Sequence, residues 1–208
     1  MSFSDKKDGI PLYAVSSANF EQWLANLPGV QQKWSKASGF KAKPGEICSL
    51  PDSNGELHGF AFGMADQGWL YQLAALPAKL SAGTYRLVSD WTPQQRLQAS
   101  LGWGLATYRF ERYKAASQER PVLLLDEDID AEVRSLHSAQ CLVRDLVNTP
   151  TEHIGPRQLA NAVVGQAGVL QVNPAQGQSG KVHALHIEAC VQHQVEQVAC
   201  RVASAQGR

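Results

Sequence analysis

Residues 142–160 read LVRDLVNTPTEHIGPRQLA, and their order spells a helix end, a rigid turn and a new helix start. Upstream, Ala131 to Val147 places Val133, Leu136, Ala139, Val143 and Leu146 at three- and four-residue spacings. That is one apolar stripe along a helix. Pro150 disfavours the helical region for Thr149 and brings no donor, so the helix is expected to stop near Asn148, a residue that tolerates a left-handed terminator. Gly155 is a flexible lead-in to Pro156, which suits the first turn of a second helix. That helix would turn Leu159, Ala162 and Val163 inward.

What surrounds this stretch differs sharply on its two sides. All sixteen aromatic residues lie at or before Tyr113, although nearly half of the 208-residue chain follows it. The natural core therefore belongs to the first part, and a hydrophobic content of 44% is enough to build it. Lys plus Arg equals Asp plus Glu at 19 each, which leaves no basic field for nucleic acid or for an anionic membrane. Neither is expected as a partner. The opening MSFSDKKDGI has charges without an apolar run behind them, and no segment reaches membrane-spanning length, so the expected address is cytoplasmic. Cys48, Cys141, Cys190 and Cys200 have no framework spacing and read as thiols.

Taken in order, Pro11 to Val15 is a short apolar run suited to a buried strand, and Ser17 is placed to cap a helix bearing Phe20, Trp23, Leu24 and Leu27. Pro28-Gly29 halts it, and a further helical turn around Val30 and Trp34 follows. Glu46 to Leu50 and Leu57 to Gly63 flank Pro51-Asp52-Ser53-Asn54-Gly55, which has the chemistry of a hairpin turn. Gly68 to Leu76 is a short apolar segment, and Thr84 to Ser89 alternates like a strand. Thr92, Pro93 and Gln95 form a capping box with a first-turn proline. They open a helix whose expected buried stripe is Leu97, Leu101, Leu105 and Tyr108, with Gly102 and Gly104 admitting a close backbone. Pro121 to Leu125 is a further strand, closed by the acidic turn Asp126 to Asp130. Strands alternating with helices imply an α/β domain with a mixed sheet.

The hinge resembles the segment joining the two domains of the leucyl aminopeptidases, the M17 peptidases. Arg144, Asp145, Leu146, Asn148, Pro150, Pro156, Leu159 and Ala160 fill that family's pattern R-D-L-x-N-x-P-x-x-x-x-x-P-x-x-L-A. Leu50-Pro51-Asp52 with Gly55, Leu76-Pro77 before Tyr85, and Leu101-Gly102-Trp103 with Tyr108-Arg109-Phe110 and Tyr113 follow the order of its amino-terminal domain. The likeness covers about residues 11–165. It implies a macro-domain-like mixed sheet between helices over residues 1–130, a linker helix and the start of the peptidase domain over 131–165, and an incomplete, truncated or aberrant tail over 166–208. Members resembling this chain are exopeptidases that release amino-terminal residues from peptides, often as hexamers with two zinc or manganese ions per subunit.

The catalytic part of that resemblance fails. The family's Gly-Lys-Gly run leading to Phe-Asp-x-Gly-Gly, and its later Asn-Thr-Asp-Ala-Glu-Gly-Arg, are missing, and Gly180-Lys181 continues as Val-His-Ala. A two-metal peptidase needs several carboxylates to hold cations about 3.5 to 4 Å apart and to make hydroxide from water. Beyond Asp145 this sequence offers Glu152, Glu188 and Glu196. No catalytic, metal-binding or cofactor-binding residue is therefore assigned, and no cofactor is expected in this chain.

Other clusters have a functional and a plainer explanation. His183, His186, Cys190, His193 and Cys200 form a local cluster, and if Leu185 to Val202 is helical, His186, Cys190 and His193 fall at i, i+4 and i+7 on one face suited to zinc. They match no zinc motif, and chance clustering is the stronger explanation. His153 beside Glu152 reads as an exposed loop pair, His58 and His137 as surface residues, and Cys141 as packing. Two functions remain. The chain is either the amino-terminal portion of a metalloaminopeptidase, inactive alone, or a free-standing macro-like module binding a ligand or partner. The second needs a phosphate loop, for which Gly59, Gly63 and Gly68 are the available glycines.

Overall fold

The computed structural model describes residues 2–4, 8–64, 68–114, 119–159 and 161–162. Their order is β1 (Phe3–Ser4), β2 (Ile10–Val15), α1 (Phe20–Ala25), α2 (Gly29–Ala37), β3 (Ile47–Pro51), β4 (Leu57–Gly63), a 3-10 turn (Trp69–Tyr71), β5 (Gly83–Val88), α3 (Pro93–Thr107), β6 (Pro121–Leu124) and α4 (Asp130–Asn148). Six strands form one sheet in the order β1-β6-β5-β2-β4-β3. β3 runs antiparallel to β4 and the other pairings are parallel, so the sheet is mixed and the fold α/β.

Parallel strands need both faces covered, and the alternation of side chains shows how this is done. The register Tyr13↔Ala61↔Cys48 puts Tyr13, Val15, Ala61, Cys48 and Leu50 on one face. There they pack with Phe40, Phe20 and Trp23 from the α1 and α2 region. The register Leu12↔Phe60 and Tyr85↔Leu123 sets the other face. Leu12, Phe62, Tyr85 and Leu123 are fully buried there, and Tyr85 lies 6.1 Å from the ring of Trp103 on α3.

The hairpin forms where Asn54-Gly55 marks it. Asp52 Oδ1 accepts the amides of Asn54 and Glu56 at 2.8 and 2.9 Å, and Gly55 takes the positive φ of 85° that an L side chain resists. The capping box at Thr92 is complete. Gln95 N donates to Thr92 Oγ1, and Thr92 N donates to Gln95 Oε1 at 2.9 Å. α4 ends at Asn148, and the chain turns helical again at Pro156, where Leu159 N donates to Gly155 O.

Two sequence expectations need correction. Ser17 does not cap α1, because the chain makes a turn before helix begins at Phe20; its hydroxyl donates to Ala42 O instead, at 2.8 Å. On α3 the buried residues are Leu97, Ala99, Ser100, Gly102, Trp103, Gly104 and Thr107, while Leu101, Leu105 and Tyr108 are half-buried. The helix is rotated toward Trp103 because Gly102 lets the Leu70 carbonyl in against its axis, where a Cβ would stand 1.7 Å from Leu70 O. The helical turn expected around Val30 and Trp34 forms as α2, and both side chains face solvent.

The chain divides into two compact units, Met1–Arg134 and Ser135–Arg208. The sheet and α1 to α3 belong to the first. Ile129 and Val133 are buried in it, whereas Thr149 is buried in the second, its hydroxyl donating to Asp145 O at 2.6 Å. Among the described residues no helix is long and apolar enough to cross a membrane.

Candidate functional site

On the first unit, two clefts are lined by described residues. One, of about 150 Å³, sits at the carboxyl end of β4 and is lined by Glu46, Gly63, Tyr71, Gln72 and Lys79 among others. Its charged groups are already engaged in holding the backbone. Glu46 Oε2 accepts the amides of Lys41 and Lys43 at 3.0 and 3.1 Å, and those two bonds hold its carboxyl below the usual glutamate range. Lys79 Nζ donates to Gly45 O at 2.5 Å. Gly63 is tight for packing, since a Cβ there would stand 1.9 Å from Lys43 O. That contact explains the glycine without a phosphate.

The second cleft, of about 260 Å³, is lined by Thr107, Arg109, Glu119 and Arg120, with Pro77, Leu80 and Pro121 around them. Arg120 donates to Thr107 O at 3.0 Å and pairs with Glu111. Burial first, and the like charge of Arg109 second, push its guanidinium below the ordinary arginine value. Nothing in the sequence marked this pair, because ten residues lie between the two arginines and no motif spans them.

The histidines and cysteines singled out from sequence fall apart as sites. His58 Nε2 lies 3.2 Å from Tyr13 Oη on the neighbouring strand, a surface pair. His153 and Glu152 are both exposed and sit 4.0 Å apart. Cys141 and His137 do meet, with Sγ 3.4 Å from Nε2 one helical turn away. The thiol is nevertheless the wrong species for attack. Burial first and the charge of Asp145 second push its pKa up, with Arg144 opposing, whereas a nucleophilic cysteine needs it lowered. His183, His186, Cys190, His193 and Cys200 lie outside the described residues.

The divalent metals implied by the resemblance find no fitting set here. Among the described residues no group of three or more His, Cys, Asp or Glu side chains converges. The densest carboxylate run, Asp126 to Asp130, is held by arginines: Arg96 reaches Asp126 at 3.2 Å and Asp128 at 2.5 Å, and Arg134 reaches Asp130 at 2.8 Å. Carboxylates neutralised in this way tie the β6 to α4 turn to α3 rather than hold a cation.

Comparison with known proteins identifies the domain. The model of the M17 aminopeptidase N-terminal domain matches residues 10–126. No curated protein sequence matches at a significant level. Among solved structures, the cytosol aminopeptidase of Coxiella burnetii superposes with a TM-score of 0.72 at 32% identity, over 81% of this chain and 37% of that one. The bottromycin maturation enzyme BotP in complex with Mn superposes at 0.58 with 20% identity, over 78% of this chain and 36% of that one. A tomato leucine aminopeptidase variant superposes at 0.54 with 14% identity, over 79% of this chain and 40% of that one. These last two show the fold alone, and the chain spans well under half the length of each of the three. With the matched domain covering more than half of its residues, the chain belongs to the M17 aminopeptidase family and carries that family's amino-terminal domain.

Proposed function

We propose that this chain is the amino-terminal portion of a metal-dependent aminopeptidase that releases amino-terminal residues from peptides, and that it hydrolyses nothing by itself. The observation that carries this is a division of content. The family match ends at residue 126 and the hinge pattern runs to Ala160, but the carboxylate-rich motifs that would hold two metals do not follow in the sequence. Residues 1–130 then form the scaffold domain, 131–165 the linker and the beginning of a peptidase domain, and 166–208 a tail that does not continue it. Peptide substrates, zinc or manganese, a hexameric assembly and a cytoplasmic location belong, on this proposal, to the complete enzyme. The name of the Coxiella relative and the manganese named with BotP support it. The rival macro-like ligand module gains nothing from Gly63, whose close neighbour is a backbone carbonyl of its own chain.

Carboxylate-held metals and positioning supply most of the rate in such hydrolysis, so their absence cannot be offset by the remaining side chains. The purified chain should be assayed with leucine p-nitroanilide, with manganese or zinc added and then stripped by chelator. No turnover above a matched blank is expected. Chelator-sensitive turnover that co-purifies with the chain and survives His183→Ala with His186→Ala would refute the proposal; turnover abolished by those substitutions would refute it too and would place a metal site in the tail.

A further inference from the structure

Helix α2 (Gly29–Ala37) is packed inside out. Its inward side chains are polar: Gln31 is 6% exposed and donates to Pro51 O at 3.0 Å, and Ser35 is 0% exposed. Its outward side chains include its largest apolar ones, Val30 at 49% and Trp34 at 50% exposure, one turn apart. Trp23, Trp69, Trp91 and Trp103 each pack against another aromatic ring. Trp34 has no ring contact among the described residues. A chain that packs four of its indole rings against other aromatic rings and turns the fifth outward leaves an anchor of the kind that dominates protein interfaces.

The charge along this stretch of the sequence is one-sided. From Gln22 to Gly45 the sequence has Lys33, Lys36, Lys41 and Lys43 and no acidic residue, in a chain whose net charge is zero. All four lysines are exposed, and Lys33 and Lys36, on α2 itself, have no ion-pair partner among the described residues. Lys41 and Lys43 stand near one carboxylate, Glu46. A half-exposed tryptophan and valine on a helix whose charged side chains, Lys33 and Lys36, are both cationic are complementary to an acidic surface that carries apolar side chains.

We infer that the outward face of α2, centred on Trp34 with Lys33 and Lys36, is a docking surface for an acidic, apolar-bearing segment of a protein partner. The alternative of an anionic membrane is disfavoured by the small apolar area: two half-exposed side chains on a two-turn helix cannot immerse a face as interfacial helices do. Protein partners need no such area, because one centrally placed tryptophan can carry most of an interface.

The test uses the full 208-residue chain and a short fluorescein-labelled peptide of glutamate and leucine at helical spacing, followed by fluorescence anisotropy. A lysine-for-glutamate version of the peptide and phosphatidylglycerol vesicles are run beside it. Saturable, salt-sensitive binding of the acidic peptide is expected, weakened about tenfold or more by Trp34→Ala and by Lys33→Glu with Lys36→Glu, and absent for the lysine peptide. All three substitutions are at exposed positions, and urea unfolding checks that the variants are folded. Failure of the acidic peptide to bind, equal binding by the folded Trp34→Ala variant, or binding of vesicles in preference to peptide would each overturn the inference.

Discussion

Gly102→Ala and Gly29→Ala make the same chemical change in two helices, and their difference isolates packing from helix propensity. Alanine in place of glycine inside a helix gains about 0.8 to 1 kcal/mol from backbone entropy. At Gly29 an added Cβ meets nothing within 4 Å, so that gain stands alone and the variant should be more stable than the parent by about 0.4 to 1 kcal/mol. At Gly102 the Cβ would lie 1.7 Å from Leu70 O and 2.8 Å from Leu70 C, which is backbone and cannot rotate aside. The 3-10 turn at Trp69–Tyr71 would have to lift off α3. Overpacking of this kind costs about 1 to 3 kcal/mol, and an obstacle made of main chain puts it at the upper end. After the propensity gain is subtracted, Gly102→Ala should lose about 1 to 2 kcal/mol, and the two variants should lie about 2 to 3 kcal/mol apart. Urea unfolding followed by tryptophan fluorescence reads this as opposite shifts in midpoint at unchanged slope. A Gly102→Ala variant as stable as Gly29→Ala would show that α3 and the 3-10 turn are not in contact as described.

Other perturbations follow from the same structure. Trp103→Ala, at a ring with 0% exposure, should lose about 3 to 5 kcal/mol in urea unfolding, whereas Leu101→Ala on the half-buried side of α3 should lose well under that. Thr92→Ala removes the side-chain half of the capping box and should lose about 1 kcal/mol, seen as a lower urea midpoint. Glu46 has a carboxyl pKa lowered by the amides of Lys41 and Lys43, so its contribution is present above the ordinary glutamate range and disappears as pH falls through the folded value; Glu46→Gln should flatten the acid limb of a stability–pH curve. Cys141 has the opposite sign. Its thiol is held protonated by burial and by Asp145, so the folded state keeps the proton longer, stability falls as pH rises from the ordinary thiol range through the raised folded value, and alkylation by iodoacetamide should be slower than for an unfolded control.

Where the sequence was legible, one local interaction sufficed to fix the outcome. The Thr92 capping box needs residues three apart, the Asp52 turn needs residues within four, and the stop at Asn148 needs only Pro150; all three stand as read. Strand existence was equally local, since short apolar runs bounded by Gly, Pro and Asn mark β2 to β6. β1 was missed because two residues carry no periodicity, and its place depends on pairing with β6 more than a hundred residues away. The face of α3 was misread for a related reason. A leucine stripe through Leu97, Leu101 and Leu105 and a stripe through Leu97, Ser100, Trp103 and Thr107 are both helical spacings, and the choice between them lies with the Leu70 carbonyl, a contact from another part of the chain.

The same distinction bears on function. An active site assembled from distant carboxylates is invisible to local spacing, yet the family's catalytic motifs are short and contiguous, so their absence from this sequence is as legible as a turn. The described residues show what the likeness to the family's amino-terminal domain rests on. The registers that bury Leu12, Tyr85 and Leu123 on one face of the sheet and Val15, Ala61 and Cys48 on the other depend on no metal ligand. The near-contacts that forbid a side chain at Gly59, Gly63 and Gly102 lie between backbone segments within this first unit. Asp126 and Asp128 are paired with Arg96, Asp130 with Arg134 and Arg120 with Glu111, so ion pairs hold the turn after β6 to α3 and the first turn of α4 to itself. A domain in which apolar registers, backbone approaches and ion pairs all close within one unit has what it needs to fold before any catalytic domain is attached.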